Sequence, residues 1–253
     1  MNWIGLGTLI KREVGRFFSV YRQTVLPGLI SSGLYIVIFG FTLEQRISEI
    51  QGIPYTLFIL PGLIMMNTLT NATANTSSSM LQMKLLQQLP DLLTAPLSGL
   101  EISLAYIIGG TVRGVVNGIL VLILGVLLTD LPVVNPLGTI VFIFLVSWAF
   151  ASMGLILGQI AESWDQLAMM QNFFLTPLSF LGGIFYSITM LPEWAQSLSF
   201  INPIYYMING IRYTILGVSD SSFIVSFWMA LFLTVLFTTS AILLMQSGKK
   251  IKQ

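Results

Sequence analysis

The 253-residue chain has no cysteine and no histidine, and charged residues are scarce in it. Without cysteine and histidine it has no disulfide bond, no thiolate or imidazole metal ligand and no Ser-His or Cys-His catalytic pair. Only 8% of its residues are charged, against about 25% in soluble globular proteins. The net charge of +1 also argues against the basic surface that binds nucleic acid. These absences exclude most enzyme classes and a nucleic-acid partner.

Apolar residues are abundant: they make up 55% of the chain, and the mean hydropathy is +0.86. Six blocks are almost free of charge, and each is close to or above the roughly 20 residues that cross a bilayer as a helix. Strands of a membrane barrel would instead be about 10 residues long and strictly alternating. The pattern predicts an all-α integral membrane protein, with one domain over 1–253 and six transmembrane helices within 26–245. The six blocks are Leu26–Leu43, Tyr55–Thr76, Ile102–Leu128, Leu137–Ile160, Gln166–Met190 and Ser222–Met245.

Lysine and arginine predict the orientation of these spans. With the N-terminus in the cytoplasm, the inner segments contain eight basic residues and the outer segments contain two, Arg46 and Arg212. Because basic residues favour the cytoplasmic side, both termini are expected there, with 246–253 as a basic cytoplasmic tail. The acidic loop 161–165 departs from the rule, but acidic residues carry little weight in it. The eight inner residues are Lys11, Arg12, Arg16, Arg22, Lys84, Lys249, Lys250 and Lys252.

Residues 1–22 have the spacing of an amphipathic helix. Apolar residues recur three or four positions apart, while Thr8, Arg12 and Arg16 fall on the opposite face. The pattern predicts an interfacial helix that lies on the cytoplasmic leaflet and contacts membrane lipid. A soluble helix packed on another domain is the alternative. The residues expected to define the interfacial helix are Trp3, Ile10, Arg12, Arg16 and Phe17.

The second predicted span is polar in its cytoplasmic half. A helix with this many amide and hydroxyl groups requires protein or water beside it rather than lipid. The polar residues are Asn67, Thr68, Thr70, Asn71, Thr73, Asn75 and Thr76.

Arg113 is the charge that lies deepest within a predicted span. It follows Ile102 by eleven residues, about 16 Å along a helix, which places it near the membrane midplane. An arginine at that depth costs about 2.5–3.5 kcal/mol on insertion scales, so a functional role is the first hypothesis. We expect a role in a transport path or in gating, together with Asn117, Asn67 and Asn71. A structural arginine that caps backbone carbonyls is the alternative.

The connection between the second and third spans contains a short amphipathic segment between two prolines. Because proline suits the first turn of a helix and ends a helix beyond it, a short helix from Pro90 to Ala95 is predicted. Leu92 and Leu93 would then form an apolar face that needs a docking surface. An ordinary loop with one helical turn is the alternative.

About 30 residues between the fifth and sixth spans are too apolar for a free loop. Two short helices that re-enter the membrane from the outer side are predicted, with a turn at Asn202-Pro203. Trp194 and Tyr205 are expected at headgroup depth. A plain outer loop with interfacial aromatic residues is the alternative. The residues that define the region are Gly182, Gly183, Tyr186, Pro192, Trp194, Asn202, Pro203, Tyr205 and Arg212.

Both connections resemble the permease subunits of type-two ATP-binding-cassette exporters. Residues 92–98, Leu-Leu-Thr-Ala-Pro-Leu-Ser, are similar to the family's coupling-helix pattern, ELL-APLS. Residues 182–212 are similar to its C-terminal pattern, GG-FY…LP-W-Q-L…NP-Y…R. The resemblance extends over essentially the whole chain and is greatest to small bacterial permeases that have no fused ATPase.

The resemblance implies a half-transporter. Two permease chains would pair, as a homodimer or with a related chain, and each would engage one ATPase subunit. The two ATPase subunits would bind ATP and Mg²⁺, so this chain would need no cofactor and no metal of its own. The residues that the resemblance assigns to ATPase coupling are Leu89, Pro90, Asp91, Leu92, Leu93, Ala95 and Pro96.

The chain contains no Gly-x-x-x-x-Gly-Lys-Ser/Thr motif, so it lacks the phosphate-binding loop with which it could hydrolyse ATP itself. We therefore expect a non-enzymatic subunit that exports an amphipathic, lipid-linked, drug-like or polysaccharide substrate across the bacterial cytoplasmic membrane. An ion-coupled secondary transporter or channel is the alternative. Such proteins usually carry ionisable residues at the midplane, whereas no Asp or Glu falls within a predicted span. A lipid-modifying enzyme is a third alternative, but the carboxylates form no recognisable motif.

Overall fold

The computed structural model describes residues 2–42, 47 and 49–247, and it is mostly helical. Five helices in this part of the chain are long and apolar enough to cross a membrane, which confirms the prediction of an all-α integral membrane protein. Arg46 and the predicted tail residues Lys249, Lys250 and Lys252 lie outside the described residues. The five helices are Tyr21–Gly40, Tyr55–Leu85, Gly99–Thr129, Pro136–Ile160 and Phe223–Ser247.

We number the helices in chain order. A two-residue hairpin, β1 (Glu49–Ile50) with β2 (Ile53–Pro54), precedes α3 and pairs antiparallel. A π-helical segment, Ile36–Phe41, extends α2, and a 3₁₀ turn, Ile188–Met190, precedes α9. The helices are α1 (Trp3–Ser19), α2 (Tyr21–Tyr35), α3 (Tyr55–Leu85), α4 (Leu89–Thr94), α5 (Gly99–Thr129), α6 (Pro136–Ile160), α7 (Trp164–Met170), α8 (Thr176–Leu181), α9 (Glu193–Ile201), α10 (Pro203–Leu216) and α11 (Phe223–Ser247).

The predicted fifth span, 166–190, differs in the structure. Helical backbone runs from α7 through a π-helical segment, Gln171–Leu175, to the end of α8, but it stops at Leu181. Gly183 adopts a φ of +81°, a left-handed conformation that glycine accepts without strain and that ends the helix. Polar residues in the first half of this run also lower its hydropathy. The run is therefore not one of the five long apolar helices, and the sixth crossing stays a prediction.

Capping hydrogen bonds hold the start of α1 beside the start of α5. The side chain of Asn2 caps α1 by accepting from the backbone N–H of Gly5 at 3.0 Å. Ser98 and Glu101 form a reciprocal capping box at the first turn of α5. The backbone N–H of Asn2 also donates to the Glu101 carboxylate. Because one carboxylate serves both helix ends, α1 and α5 begin at the same end of the bundle.

Helix α3 lies at the centre of the bundle and packs against α5, α6 and α10. Its polar half is enclosed by protein, in line with the expectation that lipid is an unsuitable neighbour for it. Of the seven polar residues identified above, all except Thr70 are buried.

Glycines on the neighbouring helices permit this close approach to α3. On α5, three glycines one turn apart face three residues of α3, and a Cβ on Gly110 would lie 2.1 Å from Oγ1 of Thr76. On α6, a Cβ on Gly154 would lie 2.4 Å from the carbonyl oxygen of Thr73. Small residues are what membrane helices use when their backbones come this near. The facing residues on α5 and α3 are Gly110 and Thr76, Gly114 and Ala72, and Gly118 and Thr68.

We predict that Gly154→Ala destabilises the protein, because the added methyl group meets α3 backbone that cannot move aside. Overpacking of this kind costs about 1–3 kcal/mol, and the midpoint of thermal unfolding in detergent should fall by several degrees. Gly15→Ala is the matched control, since a Cβ there meets nothing within 4 Å. Equal unfolding midpoints for the two variants would contradict the packing argument.

Candidate functional site

Helix α1 packs lengthwise on α5 through a stripe of buried residues, Leu6, Leu9, Glu13 and Phe17. The predicted division of its faces is partly wrong. Phe17 is buried and Ile10 is half-buried within the protein, whereas Trp3 is exposed, and their contact with lipid stays a prediction. Arg12 and Arg16, which were expected on the opposite face, instead reach α5 and α3. The physical reason is Glu13, a buried carboxylate that attracts both guanidinium groups. Whether α1 lies on the leaflet stays a prediction.

Glu13 is the centre of an ionic cluster that joins α1, α3 and α5. Its carboxylate accepts from Nη2 of Arg12 at 2.8 Å and from Oγ of Ser79 at 2.7 Å, and Nε of Arg16 lies 3.7 Å from it. Nη2 of Arg12 also donates to the hydroxyl of Tyr106 at 2.8 Å. Burial opposes the charge of Arg12, but the combined effect of Tyr106 and Glu13 outweighs it and raises the pKa of Arg12. This arginine is therefore positively charged at every ordinary pH.

Glu13 is not among the residues predicted from the sequence. A signal was present, because Leu9, Glu13 and Phe17 are spaced four residues apart and thus share one helix face. A carboxylate in the middle of an apolar face indicates a buried partner, since an unpaired buried charge is very costly.

A row of polar side chains one turn apart runs along α3: Asn67, Asn71, Asn75 and Ser79, which we call the polar stripe. Arg16 donates from Nη2 to the backbone carbonyl of Asn75 at 2.8 Å and to its side-chain oxygen at 3.0 Å. Asn71 in turn donates to the side-chain oxygen of Asn67 at 2.8 Å. The stripe thus connects the Glu13 cluster to the middle of the bundle.

Arg113 binds the middle of the polar stripe. Both Nε and Nη2 of its guanidinium donate to Oδ1 of Asn71 at 3.1 Å. Asn67 donates onward to the carbonyl of Gly28 on α2 at 3.1 Å. The structure therefore brings together Arg113, Asn71 and Asn67 across α5, α3 and α2. Asn117 donates to the backbone carbonyl of Arg113 within the same helix and so lies beside this network rather than in it.

The short helix predicted between the second and third spans is present as α4, from Leu89 to Thr94. Its predicted apolar docking face is partly wrong. Leu92 is only 8% exposed and lines a cavity together with Leu9 of α1, whereas Leu93 is 39% exposed. The two leucines are adjacent and therefore point about 100° apart on a helix. Pro90, Asp91 and Pro96 are exposed and Ala95 is half-buried, while Leu89 is buried.

Arg212 is the centre of a second ionic cluster, between α10 and the turn that follows α8. Its side chain is only 1% exposed, and its predicted place in an outer segment stays a prediction. Nη2 donates to the carbonyl of Gly183 at 2.7 Å, Nη1 lies 3.5 Å from the Asp220 carboxylate, and the guanidinium lies 4.0 Å from the ring centroid of Phe58. Asp220, which the sequence analysis did not single out, also accepts from Ser187. The cluster ties four separate segments together.

The two predicted short helices are present as α9 and α10. Pro192 precedes α9, and Pro203 is the first residue of α10. Asn202 caps α10 by accepting from the backbone N–H of Ile204 at 3.0 Å. The Asn202 amide also donates to the carbonyl of Leu178 on α8 at 2.6 Å. Their re-entry into a membrane stays a prediction.

The aromatic residues near these helices differ in exposure. Trp194 is exposed, whereas Tyr205 is buried against Phe200 and Tyr206. The expected headgroup depth of both residues stays a prediction. The hydroxyl of Tyr186 donates to the carbonyl of Phe180 at 3.0 Å and closes the turn at Gly182.

Two arrangements in the structure are suited to function: the polar stripe with its arginines, and the exposed edge of α4. Hydrogen-bond donors dominate the first, which suits the binding of oxygen-rich groups. The described residues include no group of three or more metal-ligating side chains.

Comparison with known proteins gives consistent matches. The ABC-2 type transporter family matches residues 5–216, from α1 to the end of α10. The inner membrane transport permease YadH of Escherichia coli (strain K12) is 36% identical over 252 residues, which cover all of this chain and 98% of the relative. Nodulation protein J of Sinorhizobium fredii is 26% identical over 212 residues, and that of Rhizobium leguminosarum bv. viciae is 25% identical over 227 residues. They cover 83% and 86% of this chain and 80% and 83% of the relatives.

We predict that Asp220→Asn strongly destabilises the protein, because it leaves the Arg212 charge buried without a counter-charge. The loss of one partner from a buried ion pair costs about 3–5 kcal/mol, measurable as a lower midpoint of thermal unfolding in detergent. Glu193→Gln neutralises an exposed carboxylate on α9 and serves as the control. An unchanged midpoint for Asp220→Asn would show that the pair does not hold these segments together.

Proposed function

The chain belongs to the ABC-2 type transporter family, and from this premise we propose that it is the export permease of a complex with a separate ATPase. Membership makes it the membrane transport component of an ATP-binding-cassette transporter. The absence of a phosphate-binding loop from the sequence supports the proposal that a separate subunit hydrolyses ATP. Two ATPase subunits would bind ATP and Mg²⁺ and hydrolyse ATP, while two copies of this chain form the path. The chain itself would then be no enzyme.

The proposed location is the bacterial cytoplasmic membrane, with both termini on the cytoplasmic side. The name of the YadH relative refers to an inner membrane permease, and the five long apolar helices suit several crossings. Basic residues at the end of the bundle that contains α1 and α4 support the orientation. A sixth crossing by residues 164–181, with α9 and α10 re-entering from the outer side, completes the proposed topology.

The observation that carries the coupling proposal is the exposed edge of α4. Pro90, Asp91 and Leu93 are exposed, whereas Leu89 and Leu92 anchor the helix in the bundle. An exposed apolar residue beside a carboxylate suits a protein groove.

Helix α4 is also connected to the rest of the molecule. The side chain of Asn2 donates to the carbonyl of Pro96 at 3.3 Å, and the backbone N–H of Asn2 donates to Glu101 at the start of α5. A displacement of α4 by an ATPase would therefore act on α1 and α5 together.

The proposed substrate class is amphipathic, in the range from lipid-linked to drug-like and polysaccharide molecules. Polar side chains within the bundle support this class, because they offer hydrogen bonds at a depth where lipid offers none. The apolar surfaces of the same helices suit a hydrocarbon portion. Export rather than import follows from the resemblance described above.

We predict that Leu93→Asp abolishes copurification of the permease with its ATPase, because it puts a charge into the apolar contact. The measurement is the amount of ATPase that copurifies with the tagged chain and the ATP hydrolysis of the eluted complex. Leu92→Asp would be a poor test, since Leu92 is buried in the permease itself.

Leu137→Asp is the matched control for this experiment. Leu137 is 74% exposed and lies in the first turn of α6, on the proposed outer side, where a carboxylate suits the helix dipole. This variant should keep full ATPase binding. If wild type binds no ATPase, the proposed function fails; if Leu93→Asp binds as well as wild type, only the docking site on α4 fails.

A further inference from the structure

The polar stripe of α3 has more positive charge around it than negative. Arg12, Arg16 and Arg113 surround it, and Glu13 is the carboxylate that accompanies them. Within the described ranges, no carboxylate lies within 4.0 Å of Arg113. The charge of Arg16 acts on Arg113 across Asn71 and Asn75. Since charges inside a membrane protein normally pair, this excess calls for an anion.

Hydrogen-bond donors at the stripe also outnumber acceptors. Two N–H groups of Arg113 donate to one neutral oxygen among the described residues, Oδ1 of Asn71. Nδ2 of Asn75, a fully buried residue, and Nε of Arg16 are buried and have no hydrogen-bond partner among the described residues. Buried donors are rarely left unpaired, because each costs about 1–3 kcal/mol. These donors are suited to an acceptor that has several oxygens.

Two cavities open on the stripe, one at each end. The first, of about 380 Å³, is lined by Arg12, Arg16 and Ser79, and also by the Glu13 carboxylate, which is already paired with the two arginines. The second, of about 230 Å³, is lined by Asn67 and Asn71 together with the apolar side chains of Leu63 and Met66. The stripe between them spans about 18 Å along α3, at 1.5 Å per residue. The first cavity has room for a polar group, and the second has room for part of an apolar chain.

We propose that the substrate is an amphiphile with a phosphate-type anionic head group, and that Arg16 and Arg113 hold this group beside Asn75 and Asn71. The inference rests on the proposed function, because it assigns the chemistry of the exported molecule. Phosphate oxygens would pair with the guanidinium groups through charge-assisted hydrogen bonds. The hydrocarbon chain would lie among the apolar residues of α2 and α3. A neutral head group would leave the excess charge unbalanced and should bind less well.

Dodecyl phosphate is the probe for this proposal, and dodecyl maltoside is its neutral counterpart with the same chain. Each is added at low molar fraction to the full-length permease in octyl glucoside micelles, which contain no phosphate, and the retained probe is counted by native mass spectrometry. Wild type should retain dodecyl phosphate at least about tenfold better than dodecyl maltoside. Arg113→Gln should lose about tenfold, the size expected for charge-assisted hydrogen bonds, whereas Arg113→Lys should keep most of the retention.

Lys11→Gln is the matched control, because it removes a positive charge from the exposed side of α1 and should retain the probe as wild type does. Equal retention of the two probes, or unchanged retention by Arg113→Gln, would overturn the proposal. If inorganic phosphate is retained to the same extent as dodecyl phosphate, the proposal of an amphiphilic substrate is wrong and the site binds a free anion. The assay contains no ATPase, so its failure is distinct from failure of the permease to bind its ATPase.

Discussion

The burial of a polar helix inside an apolar bundle is the constraint on which the rest of this structure depends. Helix α3 has asparagines, serines and threonines over three turns, and lipid offers none of them a hydrogen bond. Its neighbours must therefore supply protein contact at short range. The glycines of α5 and α6 allow that range, since a Cβ on Gly110 or Gly154 would meet α3 at 2.1 or 2.4 Å. The close packing of α5 and α6 on α3 thus follows from the polarity of α3.

Two ionic clusters stabilise opposite parts of the bundle, and they differ in how their charges are compensated. Arg212 has a carboxylate partner in Asp220, an aromatic ring beneath it and a backbone carbonyl, so its charge is compensated within the chain. Among the described residues, the guanidinium of Arg113 is bonded only to the amide oxygen of Asn71. The first arrangement is suited to holding loops in place. The second leaves the positive charge of Arg113 free to attract an anionic molecule. We therefore assign a role in substrate recognition to Arg113 and a structural role to Arg212.

Local patterns in the sequence were sufficient for most helices. Hydropathy located all five long apolar helices, and the prolines at 90, 192 and 203 located α4, α9 and α10. The end of the predicted fifth span was wrong because an apolar sequence continues past Gly183, where the backbone turns. Composition measures how apolar a segment is, but the φ of one glycine decides where its helix ends.

The sequence by itself determined that this protein is a membrane-spanning helical permease, because hydropathy and short motifs are properties of neighbouring residues. Only the tertiary structure decided how the charges are partnered. Ser79 and Glu13 are 66 residues apart, and Arg113 and Asn71 are 42 apart. Such pairs depend on which helices pack together and in what rotation, which local patterns do not contain. For that reason Glu13 and Asp220 were missed, the burial of Arg212 was not foreseen, and Leu92 was placed on the wrong face of α4.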